Sequence, residues 1–124
     1  MLAAETVSLE ESEVQEQFFE RGWTDGLPIV APTPDRVEAM LAAGGVEPHD
    51  LLGAVAESNI LVSADMVATN AVMAGCKPEY FRVVLAAMQA VLDPGFNANA
   101  VVTSTGGAAL CLIVSGLWGP NNPS

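Results

Sequence analysis

One cysteine, Cys76, stands between a glycine and a Lys-Pro in the run NAVMAGCKPEYFRVVLAAM, residues 70–88. A thiol beside Lys77 and just ahead of a helix start would lie in positive potential, which favours the thiolate, the form that attacks an electrophile or ligates a metal. The competing reading is structural, because free cysteine is among the most buried residue types and packs as a small hydrophobe. A second candidate is VVTSTGGAAL, where the hydroxyls of Thr103, Ser104 and Thr105 adjoin Gly106 and Gly107. Glycines allow close approach and unpaired N–H groups supply donors, so this stretch suits an anion or amide site; a plain hairpin turn uses the same residues. In GWTDGLPIVAPT, Asp25 could act as acid, base or ligand, or could merely close an Asx-turn. Asn97 and Asn99 could hydrogen-bond a substrate or be ordinary loop residues.

The segments that must position these residues are legible in outline. Ser8 and Glu11 have capping-box spacing ahead of Val14, Phe18 and Phe19, predicting an acidic amphipathic helix that ends near Gly22. WTDGLPIVAPTP is dense in Gly and Pro and reads as an extended, turn-rich connection. Thr33, Pro34 and Asp35 then supply an N-cap, a first-position proline and a first-turn acid for a helix that carries Val37, Met40 and Leu41 as far as Gly44-Gly45. A short strand is expected at about 51–56. Ser63 is expected to cap a following helix, buried nearly all round, that reaches Gly75. Pro78 and Glu79 open another, with Phe81, Val84, Leu85, Met88, Val91 and Leu92 on one broad face and Asp93-Pro94-Gly95 as its stop. Two strands around a Gly-Gly turn are expected at about 100–104 and 109–115, with Cys111 in the core. The sum is an α/β or α+β single domain over 1–124, three to four helices packed on a small sheet.

Composition narrows the class of function. Fifteen acids against four bases give a formal net charge of −11, which argues against nucleic acid and anionic membranes as partners. Six of the acids lie in the first twenty residues, whereas Asp93 is the only charged side chain from Val83 to Ser124. A final third so free of charge is expected to be central in the fold or covered by another subunit. Its longest uncharged apolar run, GGAALCLIVSGLW, has 13 residues and is too short to span a bilayer. MLAAETVSLEESE lacks the basic and apolar parts of a signal peptide, so a cytoplasmic location with reduced Cys76 and Cys111 is expected. With His49 as the one histidine and no CxxC, a zinc site made by this chain alone and a Ser-His-Asp triad are both disfavoured. No GxGxxG or Walker pattern suggests a nucleotide. The cofactor stays unassigned, and a metal shared with a partner chain stays open.

Three blocks, GWTDGLPIVAPTPDRVEAML, NAVMAGCKPEYFRVVLAAMQAVLDPGFN and TSTGGAALCLIVSGL, resemble a poorly characterised bacterial family. Its members carry a GWTDGLP opening and an AGC(K/R)PEY centre, and often occur beside or fused to UGSC-motif (seleno)protein domains. The likeness covers roughly residues 17–118. It implies that Asp25, Cys76 and the Thr103–Gly107 turn hold signature positions. It also implies a longer chain continuing past LIVSG, so that the C-terminal sheet here would be completed by another polypeptide. The resulting expectation is one subunit of a cytoplasmic hetero-oligomeric enzyme acting on a small molecule by hydrolase, hydratase or lyase chemistry. Cys76 and Asp25 would be catalytic, and Thr103, Ser104, Thr105, Gly106, Gly107, Asn97 and Asn99 would bind substrate. The alternatives are a non-catalytic structural subunit and a processed chain of a self-cleaving hydrolase.

Overall fold

Three helix ends built to one plan set the frame. A computed structural model describes residues 7–10, 13–55, 59–96 and 109–115. Helix α1 (Val14–Glu20) ends with the Gly22 N–H donating to the Phe19 carbonyl and the Trp23 N–H to the Phe18 carbonyl, at 3.0 and 2.9 Å. Helix α2 (Pro34–Gly44) ends with the same pair, Gly45 to Ala42 and Val46 to Leu41. Helix α3 (Ala64–Met73) ends with Gly75 to Val72 and Cys76 to Ala71. Each is a Schellman motif, which places a left-handed residue after the helix and seats the following apolar residue back on its last turn. Trp23 accordingly tilts against Phe18 with ring centroids 5.4 Å apart, while Val46 and Cys76 pack on the core.

Strands β1 (Leu51–Val55) and β2 (Ile60–Ser63) form a two-stranded antiparallel sheet in which Val55 pairs with Ile60 and Gly53 with Val62. Between Leu51 and Gly53 the register slips by one residue, a bulge that bends β1. A 3-10 turn (Pro78–Tyr80) leads into α4 (Phe81–Leu92), which is followed by a second 3-10 turn, Pro94–Phe96. The fold is thus mixed α/β, with four helices and one small sheet among the described residues. Helix α2 packs on α3 and α4, and α4 also covers β1. The core is Val37, Met40 and Leu41 of α2, Val62 of β2, the Val67–Val72 face of α3, and Phe81 and Leu85 of α4. Gly44 permits this packing, since a Cβ there would lie 2.7 Å from Phe81 Cδ1 and 2.8 Å from Leu85 Cδ1.

Several expectations need correction. Ser8 does not cap α1, which starts at Val14 with Glu13 as its N-cap; Glu11 lies outside the described residues. Strand β2, Ile60–Ser63, lies beyond the one short strand expected in this region at about 51–56. Helix α3 is not buried nearly all round: Met66 and Asn70 face outward, with the Asn70 amide donating to the Met66 carbonyl at 2.8 Å. Ser63 does occupy the N-cap position, but its hydroxyl donates to the Asp65 carboxylate instead of accepting from the helix. The α3 N–H groups are met by the Glu47–Asp50 turn, whose Asp50 and Pro48 carbonyls accept from Ala64 and Asp65 at 2.8 and 3.0 Å.

The largest departure is at residues 109–115, which form no strand. Leu110, Leu112, Ile113 and Val114 are exposed, Ile113 at 91 %, and Cys111 lies on the surface, not in the core. This five-residue apolar run has strand propensity but pairs with no strand among the described residues, where β1 and β2 pair with each other. The expected strand at about 100–104 lies outside them.

Candidate functional site

Cys76 owes its place to the end of α3. Gly75, at φ +81°, turns the chain, and the Cys76 N–H closes the corner on the Ala71 carbonyl at 2.9 Å. Lys77 then adopts extended backbone ahead of the Pro78 turn, so the cysteine does sit at the seam between two helices. Its side chain is half-buried, and Sγ donates weakly to the Lys77 carbonyl at 3.6 Å. Burial pushes the thiol pKa up from its ordinary value, the direction opposite to the one a helix start and a lysine would impose. At neutral pH the resting form is the thiol.

The groove over Cys76 has a volume of about 270 Å³ and is lined by Val30 of the extended segment, Arg36 and Met40 of α2, Val72 of α3, and Lys77 with Pro78. Two hydrogen-bond sets hold the extended segment there. The Gln15 side-chain amide pairs with the Ile29 backbone in both directions, at 2.9 and 3.1 Å, and the Val30 N–H donates to the Met73 carbonyl at 3.1 Å. Arg36 Nη1 donates to the Ala31 carbonyl at 2.8 Å, fixing the guanidinium beside the groove. Nothing in the sequence flagged Arg36; it enters only because α2 and the α3 corner meet.

Asp25 is exposed in its loop and is not among the residues lining the Cys76 groove. The turn there is closed by its neighbour: the Thr24 hydroxyl donates to the Leu27 carbonyl at 2.6 Å and accepts from the Gly26 N–H at 3.3 Å. The Asx-turn reading therefore gives way to one made by threonine. Thr103, Ser104, Thr105, Gly106, Gly107, Asn97 and Asn99 lie outside the described residues. His49 is exposed in the Glu47–Asp50 turn.

Asp65 is the first-turn acid expected near the positive end of α3, but its burial was not foreseen, nor was a second cavity. Asp65 is 1 % exposed, accepting from the Ser63 hydroxyl and, at 2.9 Å, from the Met66 N–H; a Ser-x-Asp at a helix start was the available signal. A larger cavity of about 630 Å³, lined by neither Cys76 nor Asp25, runs between α1, the extended segment, α2 and α3, with Phe18, Trp23, Pro32, Val37 and Met73 among its walls. Among the described residues no group of three or more His, Cys, Asp or Glu could hold a metal ion, and no helix is long and apolar enough to cross a membrane.

Compared with protein-family models, curated proteins and solved structures, the chain matches none of them. What the fold itself defines is a class: a small mixed α/β domain with a cysteine-lined groove and an uncovered apolar segment.

Proposed function

We propose that the chain is one subunit of a multi-subunit, cytoplasmic enzyme acting on a small molecule by hydrolase, hydratase or lyase chemistry. Residues 109–115 would join a sheet that a partner chain completes. The observation that carries this reading is the exposed run Leu110–Val114, with Ile113 91 % open to water in a chain whose last 42 residues, 83–124, contain one charge. Burying such a run is worth about 25 cal/mol per Å² of apolar surface, and backbone pairing supplies the register. The resemblance of the GWTDGLP and AGCKPEY blocks to the UGSC-associated family supports the same assignment. In the catalytic form of the proposal Cys76 and Asp25 act in a pocket shared with the partner, with the Thr103–Gly107 stretch and Asn97 and Asn99 toward substrate.

The raised thiol pKa, the corner role of Cys76 and the exclusion of Asp25 from its groove favour a second reading, a structural subunit that stabilises a catalytic partner. Chain recovered with its partner from its natural cells separates the two. Cys76→Ser that abolishes turnover in an intact complex overturns the structural reading; unchanged turnover overturns the catalytic one. Ile113→Lys tests assembly itself: wild-type chain is expected in a species well above 12.8 kDa and the variant at 12.8 kDa, whereas wild type found only at that mass rejects the proposal.

A further inference from the structure

The chain has four cationic side chains, Arg21, Arg36, Lys77 and Arg82, and two of them line the Cys76 groove. The other two are engaged elsewhere, Arg21 over the Trp23 ring at 5.4 Å and Arg82 Nε on the Ala43 carbonyl at 3.2 Å. Against fifteen acids, any cation has carboxylates to choose from. Yet among the described residues neither Arg36 nor Lys77 forms an ion pair: Arg36 spends one N–H on the Ala31 carbonyl and Lys77 has no side-chain partner. No carboxylate lines the groove, although Asp35, Glu38 and Glu79 lie close in sequence. The remaining walls, Val30, Met40 and Pro78 among them, are apolar.

We infer that this groove binds a small organic anion, a carboxylate head held by Arg36 and Lys77 with a short aliphatic body against Val30, Met40 and Pro78. A guanidinium presents a planar fork suited to a carboxylate, and the ammonium adds a second point charge. A volume of about 270 Å³ sits just below the range of drug-sized pockets, which limits the body to a few carbons. The inference needs no partner chain, so a monomeric chain would reject the assembly reading above and leave this one standing.

The two cysteines of the chain make an internal comparison, because Cys76 lies in the groove and Cys111 on the open surface. Iodoacetate and iodoacetamide react with the same thiolate, forming an S–C bond as iodide leaves, and differ in the charge they bring. The ratio of their rates at one cysteine therefore cancels that cysteine's own acidity and reports the local field. On the 124-residue chain, read by peptide mass spectrometry, the iodoacetate-to-iodoacetamide ratio is expected to be severalfold higher at Cys76 than at Cys111, because two cationic side chains line the groove that holds Cys76. It should fall toward the Cys111 ratio in Arg36→Gln and Lys77→Gln, and in wild type as salt is raised to about 0.5 M. Butyrate should slow both reagents at Cys76 alone, with 1-butanol far less effective. Equal ratios at the two cysteines in wild type overturn the anion site without recourse to any variant. Protection by inorganic phosphate as strong as by butyrate overturns the carboxylate assignment.

Discussion

Replacing Gly75 by alanine tests whether the corner that seats Cys76 is built as described. Gly75 lies at φ +81°, where an L-residue is disfavoured by about 1–2 kcal/mol. Sterics add little, since a Cβ there would meet only Val30 Cγ2 at 3.9 Å, ordinary contact. The alanine also restricts the unfolded chain, which returns about 0.4–1 kcal/mol. The net loss is about 1 kcal/mol, or a midpoint lower by about 4 °C for a domain of this size. Gly75→Asn should lose about half as much, because asparagine tolerates the left-handed region. Urea and thermal unfolding followed by circular dichroism at constant m-value give both numbers. Alkylation of Cys76 by a neutral reagent should quicken in Gly75→Ala, since its N–H bond to Ala71 depends on that turn. Stability equal to or above wild type for Gly75→Ala would refute the left-handed corner, and with it the structural reason given for the position of Cys76.

Gly44→Ala should also destabilise, for the opposite reason: the helix gains about 1 kcal/mol in propensity, but the new Cβ meets Phe81 and Leu85 below 3 Å and overpacking costs about 1–3 kcal/mol. Leu85→Val in the same chain should recover part of that loss, as a double-mutant cycle in urea would show. Asp65→Ala removes a buried acceptor of the Ser63 hydroxyl and the Met66 N–H and should cost about 2 kcal/mol in the same assay. The raised Cys76 pKa means that the folded state favours the protonated thiol, so its contribution is complete below the unfolded thiol value and is lost as pH rises through the folded one. Stability above about pH 8.5 should therefore fall more steeply in wild type than in Cys76→Ala; parallel curves would contradict the burial.

Legibility of the fold followed local signals. Helix α2 was readable because Thr33-Pro34-Asp35 and Gly44-Gly45 punctuate it and Val37, Met40 and Leu41 recur on one face, and these three are the residues that are buried. Helix α4 was readable for the same reason, although only Phe81 and Leu85 on its broad apolar face are fully covered. Strand β2 was hidden because Ile60–Ser63 runs directly into α3, leaving no turn to mark its end. The 109–115 run has the composition of a strand, and composition does not say which chain supplies the neighbour. At the site, Cys76 was located correctly between two helices, but its acidity depended on burial that no local pattern encodes. Arg36 joins Cys76 only through the packing of α2 against the α3 corner, a contact between distant parts of the chain.

Amide hydrogen exchange at residues 109–115, measured on the isolated chain and on the assembly recovered from its natural cells, tests the central proposal most directly. The exposed run should exchange at nearly unprotected rates alone and become strongly protected in the assembly, as the N–H groups of a strand with a neighbour are. Exchange equally fast in both states would contradict the assignment of Leu110–Val114 as a strand awaiting a partner.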